Sequence, residues 1–170
     1  MTPQFTTTEP PIVSEEGDRN WISTLSGHQV KIRTHGSQTG DQLSVVEFIE
    51  RPQSPPPAFT RHAFVEVFAV QEGIFRIQCL GHPAIDAVAG TTITIPAWTP
   101  HSFWNPSDRA ARVFTICSPA GLERFFEASE ALISQHKHHT IDDAGFESEM
   151  VRLRETFGIE LVAPPPDRND

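Results

Sequence analysis

The sequence predicts a mainly β protein, a sandwich or barrel of short strands followed by two helices. Three observations carry this. Short apolar runs rich in Val, Ile, Phe and Thr recur between residues 21 and 117. Gly, Pro and Asp interrupt them, as they do in strand-rich sandwiches and barrels. Beyond Ser118 the apolar spacing changes from the period of a strand to that of a helix.

The elements follow in order. Residues 1–18 are rich in Thr, Pro and Glu and are expected to form a loose arm. Trp21 to Leu25 and Gln29 to Thr34 flank the turn Ser26-Gly27-His28, and His35 to Asp41 loops into a strand from Leu43 to Ile49. Arg51-Pro52-Gln53-Ser54-Pro55-Pro56-Pro57 cannot be a central strand, because proline donates no ladder hydrogen bond. It is expected as an extended lip. Glu66 to Val70 and Ile74 to Cys79 flank the hairpin signal Gln71-Glu72-Gly73. Strands at Ile85–Val88, Thr91–Ile95, His101–Trp104 and Arg112–Cys117 continue the series. Leu122, Phe125, Phe126, Ala128 and Leu132 then have helical spacing. A second helix is expected from about Asp143 to Phe157, with Phe146, Met150, Leu153 and Phe157 on one face and Gly158 ending it. Residues 19–160 form one expected domain, and residues 161–170 an expected frayed tail.

Composition narrows the function classes. A net charge of -9 argues against nucleic acid and anionic membranes as partners. No apolar run approaches the roughly 20 residues a membrane span needs. The segment Met1 to Thr6 has neither the basic nor the apolar part of a secretory signal, so the expected location is cytoplasmic. Cys79 and Cys117 fit free buried thiols better than a disulfide in that compartment. With no Tyr among its residues, the chain offers no phenolic acid or base.

In a strand, residues two apart share a face. Thr60, His62, Phe64, Glu66 and Phe68 therefore point one way if the strand is regular. His101 follows the turn Ile95-Pro96-Ala97-Trp98 on a later strand. If the sheet closes, His62, Glu66 and His101 converge as two imidazoles and a carboxylate. That donor set suits Fe, Mn, Ni, Zn or Cu as a divalent ion. Taken singly, each has a plainer role: a hydrogen-bonded strand histidine, a surface carboxylate, a turn residue. Arg61 and Arg76 can bind a carboxylate, although surface solvation also accounts for them. His136, His138 and His139 fit a solvated linker between the helices, because no carboxylate or Cys completes a metal site there.

The residues from 43 to 128 resemble the cupin superfamily, close to its small quercetin-dioxygenase-like members. That family's second motif runs Gly, Pro-x-Gly, His, Asn; Gly90, Pro96, His101 and Asn105 match its spacing. In its first motif, His-x-His precedes a Glu and a Gly; His62, Glu66 and Gly73 match. Two positions depart: Thr60 replaces the first His and Trp98 replaces a Gly. A register anchored on Pro55-Pro56-Pro57 would instead put Ala58 and Thr60 at the two His positions. The resemblance implies a cupin-type jelly-roll barrel that pairs as a homodimer, with Trp21 to Thr34 as a candidate edge. It implies His62, Glu66 and His101 as ligands of a divalent ion and as catalytic residues. The pocket around them is expected to be lined by Thr60, Phe64, Phe68, Trp98 and Phe103. The partner implied is a hydrophobic, oxygenated aromatic or polyketide-like small molecule, with metal-dependent dioxygenation as one chemistry. Metal-free lyase, isomerase or cyclase chemistry and non-catalytic ligand binding remain open beside it.

Overall fold

The computed structural model describes residues 10–17 and 21–167. Among these described residues, eleven strands form two antiparallel sheets, and two helices pack at one end. The strands are β1 Ile22–Ser23, β2 Gln29–Thr34, β3 Ser44–Glu50, β4 Phe59–Arg61, β5 Val65–Glu72, β6 Ile74–Cys79, β7 Ile85–Val88, β8 Thr92–Ile95, β9 His101–Trp104, β10 Ala111–Ser118 and β11 Glu160–Ala163. The helices are α1 Leu122–Lys137 and α2 Asp143–Thr156. One sheet has the order β1-β2-β3-β10-β5-β8 and the other β11-β4-β9-β6-β7. Their inner faces enclose the core as two layers of a jelly roll. Among the described residues, no helix is long and apolar enough to cross a membrane.

Alternation builds the core. In β5, Glu66, Phe68 and Val70 are buried while Val65, Val67 and Ala69 are partly exposed. Phe68 and Val70 pack with Phe75, Ile77, Ile95 and Val113. At the other end Phe64 packs with Val30, Val46, Phe48 and Leu122. Glu66 therefore lies on β5 between the two apolar clusters. The β5–β6 hairpin closes at Gly73, whose φ is +75°. A Cβ there would meet the Ala110 carbonyl oxygen at 2.6 Å, so only glycine fits.

The structure departs from the sequence reading in five places. The stretch from Thr60 to Phe68 is not one regular strand. β4 and β5 lie in different sheets, and the chain crosses between them at His62 to Phe64. The expected tail begins as a strand, because Gly158, with φ of +64°, turns the chain back and lets β11 pair with β4. Residues 168–170 of that tail lie outside the described residues. The expected arm at 1–18 lies outside them at 1–9 and at 18. Over 10–17 it is anchored: Arg33 donates to the Glu15 carbonyl at 2.9 Å and pairs with the Glu16 carboxylate at 2.7 Å. Of the candidate edge, only β1 is an edge strand; β2 is paired on both sides. Finally, α1 continues through His136, which leaves the linker role to His138 and His139. The His136 ring rests 4.5 Å from the Phe146 ring.

Candidate functional site

His62, Glu66 and His101 converge, each almost fully buried. The fold brings them from three places. Glu66 comes from β5 in one sheet, His101 from the start of β9 in the other, and His62 from the segment that crosses between them. Thr60 pairs with His101 across β4 and β9. The crossing segment is pinned by the Trp98 amide, which donates to the His62 carbonyl at 2.7 Å. His62 thus stands beside Glu66 and His101, in keeping with the register that matches His62, rather than Thr60, to the second His of the first motif.

The Glu66 Oε2 lies 3.0 Å from His62 Nε2 and 2.8 Å from His101 Nε2. The opposite ring nitrogens face backbone carbonyls: His62 Nδ1 is 3.0 Å from Phe64 O, and His101 Nδ1 is 2.9 Å from Thr99 O. A carbonyl only accepts, so each Nδ1 carries a proton. With neutral rings, each Nε2 then turns a lone pair toward an anionic oxygen. Such a set needs positive charge at its centre, from protons or from a metal ion. The donor atoms all lie within 4.8 Å of one another, and carbonyl-oriented imidazoles are what metal-bound histidines use. The residues therefore fit a divalent ion with an N₂O donor set. Among the described residues they are the one such group of three or more metal-capable side chains.

The electrostatics agree. Burial pulls the Glu66 carboxyl up, but hydrogen bonds from His101 and His62 outweigh it and hold the group at about 2. Burial pulls His101 down, and the Glu66 hydrogen bond and charge outweigh it, leaving the imidazole raised. Cys117 lies behind the site, its Sγ 4.0 Å from Glu66 Oε1, and burial pushes its thiol well up, so it stays protonated. Both cysteines are free thiols.

The triad closes the buried end of a cavity of about 410 Å³. Phe48, Thr60 and Phe103 line it from the sheets, and Phe125, Phe126, Met150 and Ile159 cover it from the C-terminal elements. Phe48 meets Phe103 and Phe126 edge-on, with ring centroids 5.9 and 5.5 Å apart.

Three expected lining residues sit elsewhere. Phe64 stacks on His62 at 3.6 Å, inside one core cluster. Phe68 packs against Phe75 and Phe103 in the other, behind the site. Trp98 stands in the turn with φ of +64°, its side chain about half exposed at 52%, outside the cavity. That left-handed backbone explains why the family motif has glycine there. Asn105 is structural: its amide donates to the Arg109 carbonyl at 2.6 Å and its Oδ1 accepts from the Ser107 amide at 2.9 Å. Arg61 and Arg76 pair with Glu160 and Asp86.

The sequence reading passed over a second polar pair on the cavity wall. His28 Nδ1 lies 2.6 Å from Glu50 Oε2, and both residues are buried. His28 Nδ1 also accepts from the Arg51 amide at 3.3 Å. The two side chains thus place an imidazole and a carboxylate in contact on the wall. The parity of β3 held the signal, since Glu50 continues the inward face of Val46 and Phe48.

No curated relative matches the chain. Residues 46–117 match the family model of the Cupin domain. The fold resembles KdgF from a Halomonas species, with a TM-score of 0.56 and 18% identity over 66% of this chain and 98% of that one. It resembles an RmlC-like cupin from Shewanella frigidimarina, with a TM-score of 0.58 and 16% identity over 68% and 96%. A cupin-like protein from Thermotoga maritima matches with a TM-score of 0.55 and 14% identity over 91% and 89%. At these identities the likeness is one of fold. The two jelly-roll sheets, the spacing of the two motifs and the match to the family model agree that this chain contains a small cupin-superfamily domain.

Proposed function

We propose that this is a cupin enzyme acting on a hydrophobic, oxygenated aromatic or polyketide-like small molecule, with a divalent ion held by His62, Glu66 and His101. One observation carries the reading: three oriented donor atoms meet at the buried end of an apolar, aromatic-lined cavity. A bound ion would supply Lewis-acid polarisation of a substrate oxygen, and a redox-active one would add dioxygen chemistry. The chain's own residues do the rest. The Phe64 and Thr99 carbonyls fix the imidazole tautomers. Phe48, Phe103 and Phe126 offer ring edges and faces to a flat substrate and exclude water. His28 and Glu50 add a second imidazole and carboxylate to the wall of the same cavity.

The hydrogen-bonded Glu66–His101 pair favours a second reading, metal-free acid–base chemistry for a lyase, isomerase or cyclase. Metal analysis of protein purified without chelator or nickel resin separates the two. About one ion per chain, lost in His62→Ala and His101→Ala, is the expected result. A metal-free protein that turns over substrate would replace the first reading with the second. A protein that binds ligand, with no turnover under any added metal, would be a binding module.

A further inference from the structure

We infer that the compound this cavity takes is an apolar carboxylic acid, and that Arg154 at the cavity mouth is the residue that selects it. The inference rests on reading the cavity as a substrate site. Arg154 lies four residues beyond Met150 on α2, so both project from one helix face. Both line the cavity, and Arg154 also borders an outer groove with Val151 and Glu160, which places it at the rim.

Its surroundings are apolar: Ile133, Met150, Ile159 and Leu161 line the same end. Among the described residues, the Arg154 guanidinium has neither an ion pair nor a hydrogen bond. Arg33, Arg61, Arg76, Arg112, Arg124 and Arg152 each pair with a carboxylate, and Arg51 and Arg109, which do not, are exposed to water where Arg154 is partly buried. The chain has 22 acidic residues against 13 basic ones, so this vacancy does not come from a shortage of carboxylates. Burial alone lowers the pKa of Arg154. A half-buried cation among aliphatic side chains is costly unless a partner arrives.

The planar fork of a guanidinium matches a carboxylate in bidentate fashion. Among the described residues, Arg154 is the one Arg or Lys lining the cavity, and the carboxylates of Glu50 and Glu66 line it too. A dianionic phosphate would meet two anions and one cation, so a single carboxylate fits better. The substrate's oxygenated end would then face the triad, with its carboxylate at the rim. The C-terminal elements that carry Arg154 lie beyond residues 46–117, the part that matches the family model. Selection by Arg154 is thus a property of this chain's own cover.

The test titrates full-length protein with 2-naphthoate and with 2-naphthylmethanol, its neutral analogue, by ligand-observed NMR. The wild type is expected to prefer the carboxylate by roughly tenfold or more, the scale of a charge-assisted hydrogen bond. Arg154→Met should erase the preference without weakening the alcohol, and Arg154→Lys should keep part of it. If Arg154→Met does not fold, Arg154→Gln serves in its place. Equal affinities in the wild type, or a preference that survives loss of the guanidinium, would overturn this inference and leave the substrate cavity standing. Failure of both compounds to bind folded wild-type protein would overturn the cavity reading and this inference with it.

Discussion

Glu66→Gln tests the centre most directly. Glu66 Oε2 is the atom that both imidazoles approach, at 2.8 and 3.0 Å. Glutamine keeps the volume of the side chain and removes its charge. In chelated protein the variant loses hydrogen bonds to a charged group, a loss of about 1.5–3 kcal/mol. For a chain of this size that lowers Tm by roughly 3–12 °C. Added metal gives the sharper readout. At a hundred times its dissociation constant, an ion stabilises the folded state by about 2.7 kcal/mol, or roughly 5–11 °C in Tm. The variant should lose most of that gain, because an amide oxygen is a weaker donor than a carboxylate. Thermal unfolding of both proteins, with chelator and then with Zn(II), Mn(II), Ni(II) or Fe(II), gives the comparison. An equal ion-induced shift in both would refute the reasoning. The ion would then lie elsewhere, for example near His136, which sits 3.7 Å from Asp143.

Thr60→His should tighten divalent-ion binding by restoring the missing fourth donor beside His101, and calorimetric titration reads the change; unchanged affinity would count against the placement of Thr60. Trp98→Gly relieves a left-handed backbone position and should raise stability by up to about 1 kcal/mol, as measured by the urea midpoint. A fall would show that packing of the ring outweighs the strain. Burial pulls the Glu123 carboxyl up, but the amides of Gly121 and Gly36 donate to it and hold it lower overall. Its contribution to stability is therefore whole above the unfolded value of about 4.3 and disappears as pH falls through the lower folded value. Glu123→Gln should flatten that part of the pH–stability profile and leave neutral pH the poorer for the lost hydrogen bonds. We also expect a homodimer, with a mass by light scattering of about twice 18.9 kDa; a monomer at micromolar concentration would refute it.

Much of this protein is legible in its sequence because strand parity, turn chemistry and helical spacing are local. Gly73, Gly90 and Gly158 mark turns at positive φ, and the apolar alternation of β5 identifies its inner face without any partner. Motif spacing likewise singles out His62, Glu66 and His101. Other features arise from pairings between distant segments. The break between β4 and β5 exists because β4 pairs with β9 and β11, while β5 pairs with β10 and β8. That crossing carries Phe64 and Phe68 into separate core clusters on either side of Glu66. Phe125, Phe126 and Arg154 reach the cavity only because α1, α2 and β11 fold back over the sheets. Parity assigns a side chain to a face of its own strand; what that face meets is decided only when the sheets and helices close around it.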